Sequence, residues 1–202
     1  MRFTLRELVM IGIFGALWGV IETTLGSVLH TAHVPFKGLI LGAMGLLVLL
    51  VGRLLVPRRG ATLAMGTVTA MLKLFSIGQF VLNPMIAIFM EALLAELALS
   101  ARPRPSRRTY VAAGALAISW NFFHPFVTWG ILAGQGILTL WRDTIASTGH
   151  LLGLSESAPL LIVGILIGLH ITIGLLAGLL GWQIGQRVLA REEIMFQRRL
   201  ST

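Results

Sequence analysis

Cysteine is absent from the chain, which excludes disulfides and thiol chemistry. Charge is scarce as well. Only 12% of the 202 residues are charged, about half the share of a soluble globular domain. Acids are the rarer sign, with 8 Asp+Glu against 16 Lys+Arg. No G-x-x-x-x-G-K-[ST] loop occurs, so ATP hydrolysis by that route is closed to the chain alone. No serine, cysteine or paired-acid motif stands at a spacing suited to catalysis, so no catalytic residue and no cofactor is expected. His30 and His33 are three apart, but spacing supplies no third or fourth ligand, so no metal site is assigned.

What fills the chain is hydrocarbon. It is 56% hydrophobic, with mean hydropathy +0.87. Six apolar spans are read, at about 8–29, 36–56, 61–80, 84–99, 110–130 and 160–184, each near the ~20 residues that cross a bilayer. Little remains for loops, so residues 1–202 are expected to form a single integral membrane domain. The N-terminus has a basic start and an apolar run like a signal peptide. The run is long for an h-region and contains Glu22, so an uncleaved first span is expected. Pro125 predicts a break near His124. Asn83 followed by Pro84 reads as a cap and first-turn proline opening span four. Residues 137–145 read as an amphipathic piece on the membrane surface. The resulting fold class is all-α: a polytopic membrane protein, a six-transmembrane-helix bundle with both termini cytoplasmic.

The arginines set that orientation. Arg2, Arg6, Arg53, Arg58, Arg59, Arg102, Arg104, Arg107, Arg108, Arg187, Arg191, Arg198 and Arg199 all fall on one side of the six spans. Lys37 and Arg142 fall on the other, and Lys73 lies within a span. This is the positive-inside pattern. The net charge of +8 therefore points to the anionic surface of the lipid bilayer or a cytoplasmic partner, not to nucleic acid.

Ionisable groups inside spans are costly and face a bundle interior or a wet cavity. At ~1.5 Å per residue, Glu22 is about 21 Å into its outward-running span and Lys73 about 18 Å into its own. Glu91 is about 10 Å below the outer end of span four, and His124 about 21 Å into span five, by the same rise. Asn83 and Gln79 sit at the outer rim. Asn121 and His124 share one helix face, flanked by Trp120 and Trp129. Aromatic walls with a few convergent polar groups characterise small-molecule sites. The expected substrate-binding set is Glu22, Lys73, Asn83, Glu91, Trp120, Asn121, His124 and Trp129. A buried structural pair of Lys73 with Glu22 or Glu91 is the alternative for those three. Glu96 reads as structural or a partner contact, and His170 is open between the two. Rival readings are a small intramembrane enzyme using His124 or His170 with Glu91, and a metal- or proton-coupled transporter using His30, His33 and Glu22.

Span one also carries Gly12-x-x-x-Ala16 and Gly15-x-x-x-Gly19, small-residue steps that let another helix approach closely. Packing within the bundle and docking of another subunit are both open for this stripe. With that stripe, the six-span layout and the outer polar cluster, the chain resembles the substrate-binding S component of an energy-coupling-factor (ECF) vitamin transporter. Leu5-Arg6-Glu7-Leu8-Val9 and Asn83-Pro84-Met85 are most similar to the thiamine-precursor type. The resemblance implies a non-enzymatic, high-affinity solute-binding subunit in the cell membrane of a prokaryote. It implies uptake of a small water-soluble vitamin or precursor, with a thiamine-like cation as the leading ligand. It implies partners in trans, a transmembrane coupling subunit and cytoplasmic ATPases. It also implies a gating loop between spans one and two, carrying His30, His33 and Lys37, and docking through Gly12, Gly15, Ala16 and Gly19.

Overall fold

The computed structural model describes residues 3–75, 82–155 and 157–200. Arg2, Gln79 and the end of the third expected span lie outside them. The elements in chain order are α1 (Leu5–Thr31), α2 (Lys37–Leu55), α3 (Ala61–Lys73), α4 (Leu82–Ser100), α5 (Arg107–Pro125), a π-helical segment (Phe126–Leu132), α6 (Ile137–Leu152) and α7 (Pro159–Leu200). Each expected span therefore contains a helix. Four of the helices, α1, α2, α4 and α7, are long and apolar enough to cross a membrane. The described part of α3 has 13 residues, short of a crossing length. Arg107, Arg108, Asn121 and His124 dilute the hydropathy of α5.

Helix contacts close a ring. α1 packs on α2 and α3, α3 on α4, α4 on α5, α5 on α7, and α7 back on α2. α2 also reaches α3, α4 and α5, so it lines the inside of the ring. Its buried face of Leu39, Leu46, Leu49 and Leu50 forms the centre of the main core with Trp18, Met65, Ile88 and Ile118. The outside stays apolar: Leu8, Val9, Ile13, Leu17 and Val20 of α1 are exposed. So much exposed hydrocarbon suits a surface facing lipid rather than water.

Local sequence explains the helix ends. Thr4 and Glu7 form a capping box that starts α1, satisfying two otherwise orphaned backbone donors. Gly60, at φ +88°, turns α2 into α3, a conformation with no steric penalty for glycine. The start of α3 is held by Glu96 of α4, whose carboxylate accepts from Gly60 N at 2.7 Å and Thr62 N at 3.0 Å. Ser100 also donates to it. A carboxylate on a helix N-terminus is favoured by both the free N–H groups and the helix dipole. Glu96 thus takes the structural role. Glu96→Ala should destabilise the protein by about 1–3 kcal/mol, the cost of orphaning such donors. Thermal unfolding in detergent reads this directly, and an unchanged midpoint would remove Glu96 as the α3 anchor.

Several boundaries differ from the expected ones. α4 is already helical at Leu82, so Asn83 lies inside the helix and is not its cap. Pro84 remains in the first turn, where a missing N–H costs nothing. Pro125 ends α5 as expected, but the chain continues as a π-helical segment. Proline removes one ladder donor and displaces the carbonyl four residues back, and the wider helix absorbs that. Thr128 supports it by donating to the His124 carbonyl at 2.9 Å. α7 does not stop near residue 184 but runs 42 residues as one helix. That is roughly 63 Å at ~1.5 Å per residue, about twice a hydrocarbon core, so its last turns extend past the bilayer. Arg187 and Arg191 ride on this extension. The expected amphipathic segment is α6, which buries Ile145, Thr148 and Gly149 and exposes Ile137, Leu138, Leu151 and Leu152.

Candidate functional site

Glu22 is on the inner face of α1, four residues after Trp18 and three after Gly19, all buried. Lys73 ends α3 and crosses to it. Its Nζ donates to the Glu22 carbonyl at 3.1 Å and lies 3.7 Å from Glu22 Oε2. Of the pairs the sequence left open, this one forms.

Glu91 of α4 is left over. It is only 3% exposed, and its Oε2 has no hydrogen-bond partner among the described residues. Glu22 is near enough to repel it, and the Asn121 amide is near enough to attract it. Asn121 Nδ2 nevertheless completes no hydrogen bond of proper geometry. Both side chains close on the backbone of Gly42 in α2. A Cβ there would collide with Asn121 Nδ2 and lie 3.0 Å from Glu91 Oε1, so glycine is needed for the approach.

The indole of Trp18 stands next to this group. It is fully buried, seated on Gly45 and 3.6 Å from the position of a Cβ on Gly66. It lies near the Glu22 carboxyl, but its Nε1 completes no hydrogen bond of proper geometry among the described residues. Trp120 Nε1 on α5 is also buried without a partner among the described residues, its ring packing by His124. The result is a buried centre built from α1, α2, α3, α4 and α5. It contains two carboxylates, one ammonium and two N–H donors, of Trp18 and Asn121, with no partner among the described residues. With all three ionisable groups charged, its net charge is negative. Unpaired buried polar groups cost about 1–3 kcal/mol each, more when charged. A ligand that presents both a cation and acceptor atoms would satisfy them together.

The remaining expected residues are placed differently. His124 is buried, and its Nε2 donates to the backbone carbonyl of Asn83 at 3.0 Å. It ties α5 to the start of α4 and packs near Trp120, with ring centroids 6.3 Å apart. Asn83 Oδ1 is buried with no partner among the described residues. Trp129 lies half-buried in the π-helical segment. Gln79 lies outside the described residues. His30 and Lys37 meet across the α1–α2 connection, with Nζ 2.6 Å from Nδ1. His33 and Phe36 there adopt left-handed φ of +50° and +54°, costly for side chains other than glycine. His170 Nδ1 of α7 donates to the Leu166 carbonyl at 2.7 Å. It stands edge-on to Phe122.

The small-residue stripe of α1 divides. A Cβ on Gly15 would meet Val68 Cβ at 2.7 Å and the Met65 carbonyl at 2.8 Å, and one on Gly19 would meet Leu72 at 3.1 Å. These two positions are used inside the bundle, against α3. Gly12 has open space around it, and Ala16 is half-buried.

Sequence reasoning passed over Trp18, Gly42 and Gly45. Trp18 and Glu22 are four apart and so share a face, which was a usable signal. The glycines had none, because their role is set by side chains arriving from α1, α4 and α5.

A family model described as a hypothetical bacterial integral membrane protein (Trep_Strep) matches residues 5–191, so the chain belongs to that family. No curated protein and no solved structure matches it.

Proposed function

We propose that this bacterial integral membrane protein captures a small water-soluble vitamin or precursor, a thiamine-like cation, at the Glu22–Glu91–Asn121 centre. The observation that carries the reading is Glu91, a buried carboxyl with an oxygen unpartnered among the described residues, in one buried group with the Trp18 and Asn121 N–H groups, which are likewise unpartnered there. A cationic heteroaromatic supplies the missing charge to Glu91, ring acceptors to the N–H donors, and a face for stacking on tryptophan. Lys73 is held by Glu22, which leaves Glu91 as the carboxyl open to a cationic ligand. In this reading the chain crosses the membrane six times with both termini in the cytoplasm. The connection carrying His30, His33 and Lys37 gates the pocket, and His124, Asn83 and Trp129 form its rim. Uptake then depends on a separate coupling subunit and ATPases, as in an S component of an ECF transporter.

Native mass spectrometry of the purified protein, with chemical identification of what denaturation releases, tests this. One stoichiometric nitrogen heterocycle is the expected result. A protein that carries only lipid, and binds no cationic heterocycle when offered one, would overturn it.

Docking of the coupling subunit is assigned to the open part of the α1 stripe, Gly12 and Ala16. Gly15 is a poor probe because a larger side chain there collides with the Met65 backbone carbonyl. Gly12→Leu should leave solute affinity and thermal stability unchanged while reducing co-purification of the coupling subunit at least tenfold, the equivalent of about 1.4 kcal/mol. Full assembly of that variant would place docking elsewhere.

A further inference from the structure

At the arginine-bearing end of the bundle, the first turn of α5 and the later turns of α7 border an open cleft of about 360 Å³. Arg107, Trp182, Gln183, Gln186 and Arg187 line it. No acidic side chain does, and neither arginine has an ion pair or hydrogen bond among the described residues. The α5 N-terminus opens at the same place, its start marked by the Ser106–Thr109 capping box, and its dipole adds to the positive field. Two guanidinium groups without partners among the described residues, two carboxamides and a helix N-terminus together supply the donor types that recognise phosphate.

The surroundings say how the phosphate arrives. Leu176, Leu180, Gln183 and Arg187 recur at helical spacing on one face of α7, and both leucines are exposed. The face thus changes from hydrocarbon to cation within two turns. Trp182 sits at the change, half-buried and stacked obliquely on Tyr110 with centroids 5.0 Å apart. An amphipathic indole between apolar stripe and arginines is the arrangement found at a membrane–water interface.

We propose that this cleft binds a phosphate-bearing group, presented as the head group of an anionic phospholipid whose acyl chains lie along Leu176 and Leu180. The site is independent of the Glu91 centre and of what that centre binds.

The test uses the purified full chain in neutral detergent with equal amounts of phosphatidylglycerol and phosphatidylcholine, read by native mass spectrometry. The wild type should retain phosphatidylglycerol preferentially. Arg107→Gln with Arg187→Gln should lower that preference by roughly thirtyfold, about fivefold for each basic residue at an anionic surface. Arg102→Gln with Arg104→Gln, an equal charge change on the adjacent linker, should leave it in place. Replacing both site arginines by lysine should give an intermediate loss, since charge remains and bidentate geometry goes. Inorganic phosphate at the same concentration as the lipid distinguishes the source: retained lipid shows head-group binding, and displaced lipid shows a soluble phosphate ligand and overturns the proposal. The proposal fails if the glutamine pair folds and keeps the preference, or if the linker pair loses as much.

Discussion

Glu91→Gln is expected to lower affinity for the retained solute by roughly ten- to a hundredfold, the 1.5–3 kcal/mol span of a charge-assisted hydrogen bond. The substitution keeps the shape that closes on Gly42, so core packing is preserved. Its effect on the empty protein should have the opposite sign. Wild-type Glu91 is a buried carboxyl with an oxygen unpartnered among the described residues, and an amide of the same shape removes the cost of ever burying that group ionised. The ligand-free variant should therefore unfold at the same or a higher temperature than the wild type. Isothermal titration with the identified solute and thermal scans of both ligand-free proteins give the two numbers. Unchanged affinity with a lower unfolding temperature would make Glu91 a structural partner of Asn121 and remove it from the site. Lys73 would not give so clean a result, because losing it also strips Glu22 of its ion pair.

Gly114→Ala is expected to cost about 3 kcal/mol or more, at or beyond the upper end for overpacking a core. The α5–α7 contact explains the size. A Cβ on Gly114 would collide with the Gly174 carbonyl and lie 2.8 Å from Gly178 N and 2.9 Å from Gly178 Cα. Those atoms are backbone, so no rotamer change makes room, and the two helices must separate. Gly178 faces the α5 backbone in turn, with Val111 Cα 2.7 Å from where its Cβ would be. Close glycine contact of this kind supplies van der Waals packing where lipid removes the hydrophobic drive between helices. Gly168→Ala is the control. It stands on α7 with nothing within 4 Å, and alanine in a helix is worth about 1 kcal/mol over glycine. Thermal unfolding should fall sharply for the first and hold or rise for the second. Equal midpoints would show that α5 and α7 do not meet through these glycines.

Some of this was open to a reader of the sequence. The apolar runs and the thirteen sorted arginines pointed to a helical membrane protein. Pro125 marked the end of α5, and the buried acids stood out because charge inside an apolar run is rare. Glu22 with Lys73 was one of two pairs that depth alone allowed. The α1 stripe was ambiguous for a physical reason: a small residue permits close approach without saying which helix approaches. Gly15 and Gly19 face α3, and only contacts show it. The working glycine contacts of α7, at Gly174, Gly178, Gly181 and Gly185, were no more conspicuous than glycines that touch nothing.

The division follows from what each kind of interaction requires. Composition, span positions, charge sorting and the proline break are properties of a segment and the solvent around it, so the sequence by itself determined them. Ring order, the anchoring of α3 by Glu96 and the convergence of Glu91, Asn121 and Trp18 on α2 depend on which helices are neighbours. Spans that are apolar nearly all round carry no periodic mark of their inner face. Their neighbours are chosen by close packing and a few buried polar contacts, and only the tertiary structure decided those.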